Sequence, residues 1–225
     1  MRYPSDREIE EAKDYIRQRL QAEKSMERNL RTAMLRAAER IISISHKYGI
    51  PPKMFRFSLD RNLKHEVEAI ISDLRATIED YTSTLSVATH NDKEEEILAY
   101  ITRNSYGKTF GERNAIYANR YKYELEAAIA ASMLAGTSKA ATLQLISKNL
   151  EHPYDNPDFI EAVKAGDMNA TRIRTDGISY GIGRTNSSFT ALRNLTVFAV
   201  AEGWMKYWYL SGTEKGAKGF ITFRS

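Results

Sequence analysis

The 225-residue chain has no cysteine, only 5 prolines and 12 glycines, and 4 histidines. Without cysteine there can be no disulfide scaffold, thiolate zinc site or thiol nucleophile, and an intracellular home is expected. No apolar run approaches the ~20 residues that a membrane-spanning helix needs. The charged N-terminus carries no signal-peptide pattern, so a soluble chain is expected. No two of His46, His65, His90 and His152 are four residues apart, the spacing that would put two imidazoles on one helical face. Because so few prolines and glycines interrupt it, the chain can form long helices. With 42% hydrophobic and 28% charged residues, a mainly α fold with a substantial core follows.

"SDRE" at Ser5–Glu8 has the capping-box pattern, in which a serine hydroxyl and a glutamate carboxylate satisfy the backbone N–H groups at a helix start. Apolar residues then recur at Ile9, Ala12, Ile16 and Leu20, and again at Met26, Leu30, Ala33, Ala37, Ile41 and Ile44. This helical period meets no breaker before "YGIPP" at Tyr48–Pro52, which predicts a helix of about 40 residues. Leu59, Leu63, Val67, Ile70, Leu74, Ile78, Tyr81 and Leu85 form a second seam, and the two seams invite antiparallel pairing. Residues 1–104 are read as a helical hairpin arm, with a short helix over 93–103 capped by Asp92.

A compact multi-helix domain is expected over residues 105–225. Thr109 and Glu112 form another capping box, Gly136 closes the helix they begin, Ser138 caps the next, and a short helix follows Asn156. Three glycines and three arginines mark residues 167–185 as irregular, helix returns near Ser187 and runs to Gly212, and "KGFITFR" reads as a short C-terminal strand.

Few candidate chemistries survive inspection. Gly107, Lys108 and Thr109 resemble the end of a phosphate-binding loop, but Thr102 stands where that loop needs its first glycine, and helical rather than strand periodicity precedes it. His152, Asp155 and Asp158 are explained by a connecting loop and a helix cap. No serine sits in a G-x-S-x-G elbow, and no histidine follows the candidate serines. No catalytic residue, cofactor or metal is expected. Charge is uneven, since residues 169–225 hold 8 Lys and Arg against 3 Asp and Glu, a net of +5. Arg172, Arg174, Arg184 and Arg193 are therefore candidates for contact with phosphate or an acidic partner. Trp204, Tyr207 and Trp208 form, with Tyr209, an aromatic group suited to a core or subunit contact.

From about residue 108 onward the chain resembles the head-morphogenesis, or minor capsid, proteins of tailed bacteriophages. The resemblance rests on Glu112 and Arg113, on "AAIAASMLAGTSKAATLQLI", and on "GRTNSSFTALRNLTVFAVAEGWMKYW" with Arg184, Thr185, Glu202, Gly203 and Trp208. Asn186 departs from the glutamate usual in that family. The resemblance implies a non-enzymatic virion component, assembled in the host cytoplasm and associated with the portal or other capsid proteins. Packaged DNA would be a further contact, homo-oligomers are compatible with such a role, and no membrane is involved. The alternative reading is a helical nucleic-acid-binding module outside any virion.

Overall fold

The computed structural model describes residues 5–87, 91–151 and 187–216. Their architecture is helical throughout: α1 (Asp6–Ser45), α2 (Arg61–Val87), α3 (Glu94–Thr102), α4 (Phe110–Leu134), α5 (Lys139–Lys148) and α6 (Ser188–Glu214). No β-strand occurs among the described residues. The expected C-terminal strand and the helix after Asn156 lie outside them.

Most helix starts follow from local chemistry. Both capping boxes form: Ser5 accepts the Glu8 N–H while Glu8 receives the Ser5 N–H, and Thr109 with Glu112 does the same. Ser138 and Ser187 cap α5 and α6 through the N–H groups of Ala141 and Thr190. Gly136, at φ +67°, ends α4. It lets the Thr137 N–H reach the Ser132 carbonyl at 2.8 Å, the closing bond of a Schellman turn. Asp92 does not cap α3 as expected. Asn91–Lys93 forms a 3₁₀ turn, α3 begins at Glu94 without a side-chain cap, and Lys93 pairs instead with Glu214 at the end of α6.

Helices α1 and α2 run antiparallel. Met26, Leu30, Ala33, Ala37 and Ile41 are buried against Leu63, Val67, Ile70, Leu74 and Ile78, as the two seams predict. Each such aliphatic side chain contributes roughly 1.5–3 kcal/mol by leaving water. Across the seam, Arg40 pairs with Asp73 at 3.0 Å and Lys47 with Glu66 at 3.3 Å, both on the solvent side. The core continues into the later helices through Tyr121, Leu125 and Ile129 of α4, Ile146 of α5, and Phe189, Leu192, Val200 and Trp204 of α6. The hairpin and the segment that follows it thus share one hydrophobic core.

The first four turns of α1 depart from their own pattern. Ile9, Ile16 and Leu20 continue the apolar period yet remain exposed, because the core begins only at Ala22.

Candidate assembly surface

Helix α6 is held in place by a different element at each level. At its N-terminus the buried Glu124 carboxylate of α4 accepts hydrogen bonds from the Ser188 N–H at 3.0 Å and the Ser188 hydroxyl at 2.9 Å. A carboxylate at this position also offsets the partial positive charge of the helix start. Farther along, Gly203 passes so close to α2 that an added Cβ would lie 2.7 Å from the Ser86 Cβ. The neighbouring Trp204 indole N–H donates to the Leu85 carbonyl at 2.9 Å. On the other side of Gly203, Glu202 pairs with Arg103, just beyond α3, at 3.1 Å.

Antiparallel packing against α1 completes the setting. The Tyr15 hydroxyl donates to the Trp204 carbonyl, and its ring stacks obliquely on Trp204 at 5.4 Å and on Trp208 at 4.7 Å. Burial pushes the Tyr15 phenol well above its ordinary range, so the donor proton is retained at any physiological pH. Twelve residues along α1, Glu27 meets Arg193 at 3.6 Å, with both side chains partly exposed.

These contacts sort the candidate residues. Trp204 is 3% exposed and makes its contacts inside the chain, so it joins helices within the protein rather than meeting a partner. Tyr207 is half-buried, while Trp208 keeps 42% of its surface in solvent. Arg193 is engaged with Glu27 on the wall of a groove between α1 and α6. Arg172, Arg174 and Arg184 lie outside the described residues, and so does Thr185.

Two further large apolar residues of α6 stand in solvent, Phe198 at 65% exposed and Met205 at 59%. With Tyr209 they stand at i, i+7 and i+11, one face of α6. Ile9, Ile16 and Leu20 stand at i, i+7 and i+11 of α1. A groove lies between the two helices, lined by Arg19, Glu23 and Glu27 of α1 and by Arg193, Phe198 and Ala201 of α6, and Phe198 is the stripe residue that borders it. The groove charges are paired, Arg19 with Glu23 at 3.2 Å and Glu27 with Arg193, and the two apolar stripes stand on the helices that form its walls.

Ionisable side chains elsewhere are accounted for by packing. Buried Glu126 accepts the Phe57 N–H at 2.8 Å, and burial holds the Tyr121 hydroxyl protonated while it donates to the Met34 carbonyl at 2.9 Å. Among the described residues no group of His, Asp and Glu is placed to hold a metal ion, and no helix is long and apolar enough to cross a membrane. The residues that resemble a phosphate loop form a tight turn instead. Tyr106 and Gly107 both take positive φ between the bridged Ser105 and Lys108, and Thr109 then caps α4.

No protein-family model, no curated protein and no solved structure matches the chain.

Proposed function

We propose that the chain is a minor head protein of a tailed bacteriophage, a non-enzymatic virion component that acts through helical docking surfaces on the portal or other capsid proteins. The observation that carries this reading is the set of exposed apolar side chains on α1 and α6, two helices joined to each other through Tyr15 with Trp204 and Glu27 with Arg193. Contiguous exposed apolar surface of this kind marks a binding face rather than a solvated one. Glu202 and Gly203, two of the residues behind the resemblance, join α6 to the rest of the fold.

Packaged DNA is the further contact in this reading, through Arg172, Arg174 and Arg184. Arg193 contributes less, because Glu27 already neutralises it. Replacing Arg172, Arg174 and Arg184 together with Ser should weaken DNA binding and flatten its salt dependence. The same titration, run at two salt concentrations on purified protein, addresses the reading as a free-standing nucleic-acid-binding module, which the +5 balance of residues 169–225 favours. The virion assignment is tested with a phage that encodes the chain. Mass spectrometry of purified heads should detect the protein, and deleting its gene should lower the yield of filled heads. Heads that lack the protein, together with an unchanged yield after deletion, would overturn the assignment.

A further inference from the structure

The register between α1 and α6 says what the exposed face fits. Tyr15 is level with Trp204, and Glu27 with Arg193, on antiparallel helices. At about 1.5 Å per residue, Leu20 then lies within about 3 Å of the level of Phe198, Ile16 of Met205, and Ile9 of Tyr209. Three aliphatic side chains on one helix are therefore matched in height by Phe198, Met205 and Tyr209 on the other.

We propose that this face is the interface of a homodimer whose two-fold axis runs along the groove, parallel to both helices. Rotation about that axis lays α1 of each copy over α6 of the other and keeps every residue at its level. Leu20 then meets Phe198, Ile16 meets Met205 and Ile9 meets Tyr209 of the second copy, and each contact occurs twice, as an isologous interface requires. The charges agree with this placement. The rotation sets each Glu27 over the Arg193 of the other copy, so the pair within the chain becomes part of an alternating group of four charges. Arg19 and Glu23, which line the groove at the axis, face their own counterparts there, each already held in its 3.2 Å pair.

The area is adequate for a second copy. Ile9, Ile16 and Leu20 are 38–43% exposed, and Phe198, Met205, Trp208 and Tyr209 are 42–65% exposed. Together they offer on the order of 600 Å² of apolar side chain, the upper end of what a monomer leaves open. With the charged groove added, the face reaches roughly the 800 Å² per partner of a standard interface. The apolar period of the first four turns of α1 finds its role here, since Tyr15 packs on α6 while Ile9, Ile16 and Leu20 stay exposed. The inference stands apart from the virion reading and would hold for a chain in any setting.

Sedimentation equilibrium of the full chain tests it. The wild type should weigh twice the 25.7 kDa of the chain at micromolar concentration. Ile16→Glu and Met205→Lys should each raise the dimer dissociation constant at least about tenfold, because each sets a charge against an apolar partner. Mixing the two variants should restore the dimer. The new carboxylate of one copy then meets the new ammonium of the other, while the second contact keeps Ile16 on Met205. Circular dichroism reports whether the variants retain their helices, and Phe198→Ser replaces either one that does not. A monomeric wild type overturns the proposal, as does a dimer that these substitutions leave intact or a mixture that fails to recover.

Discussion

Replacing Gly203 with alanine probes the close approach of α6 to α2. The new Cβ would lie 2.7 Å from the Ser86 Cβ, 3.0 Å from its carbonyl oxygen and 3.2 Å from its Cα. None of these atoms belongs to the free end of a side chain, so no rotamer change relieves the overlap and α6 must move away from α2. Forcing a methyl group into a packed site costs about 1–3 kcal/mol, and an overlap with a Cβ and backbone atoms that cannot turn away belongs to the upper part of that range, about 2–3 kcal/mol. Alanine recovers about 1 kcal/mol of helix propensity over glycine, which leaves a net loss of about 1–2 kcal/mol. For a chain of this size that corresponds to a fall in Tm of roughly 2–8 °C. The shift also pulls the Trp204 indole from the Leu85 carbonyl, now 2.9 Å away, and so should weaken the near-ultraviolet circular dichroism of tryptophan. Gly111 in the first turn of α4 is the control. Its added Cβ would find only the Glu79 Oε1, at 3.6 Å, an ordinary contact, so Gly111→Ala should be neutral or gain up to about 0.5 kcal/mol. Thermal and urea melts of both variants decide the matter. If Gly203→Ala proves as stable as wild type, helix propensity outweighs the close approach and the reasoning fails.

Other contacts give sharper local tests. Glu124→Gln removes the charge that receives both Ser188 donors, and should lower the urea midpoint by the equivalent of about 1–3 kcal/mol. An unchanged midpoint would mean that the carboxylate is not needed at the α6 start. Tyr121→Phe deletes the buried bond to the Met34 carbonyl and should cost about 0.5–1.5 kcal/mol, read in the same titration, with no change in helix content. Partial burial, and secondarily the charge of Lys139, holds the His46 imidazole below its ordinary value. The unfolded chain then takes up the proton at a higher pH than the folded chain does, so the His46 contribution is complete at neutral pH and is lost as the pH falls. His46→Gln should therefore show a flatter dependence of Tm on pH between about pH 7 and 5 than wild type, and parallel profiles would remove His46 from the account.

The parts of this fold that were legible in the sequence are those decided within a few residues. The pairs Ser5 with Glu8 and Thr109 with Glu112, and Gly136 with its left-handed φ, act on backbone groups at most four positions away, so their pattern alone predicts them. Asp92 fails for the complementary reason. Lys93, beside it in the turn before α3, pairs with Glu214, which is 121 residues distant and which no local pattern announces. The same distance hides the buried charges. Nothing local marks Glu124 and Glu126 as buried, because their partners, Ser188 and Phe57, are 64 and 69 residues away. Nothing in the spacing of Arg193 names Glu27. Apolar period does reveal the stripe of Ile9, Ile16 and Leu20, but period alone cannot say whether the covering surface belongs to the same chain.

That distinction decides how the resemblance to phage head proteins is used. Glu202, Gly203 and Trp204 are three consecutive residues, and they join α6 to Arg103, Ser86 and Leu85 respectively. A stretch so occupied with internal contacts specifies the placement of a helix, not what that helix binds. In the proposed function, specificity then resides in residues those joints present outward, Phe198 and Met205 on α6 with Ile16 and Leu20 beside them. Exchanging these residues leaves the joints untouched, so a chain of this fold could change partner without losing its core. Substitution at Gly203 or Trp204 alters the core first, and any loss of assembly would follow from that. A change in assembly at constant Tm therefore points to the exposed face, and one that tracks Tm points to the joints.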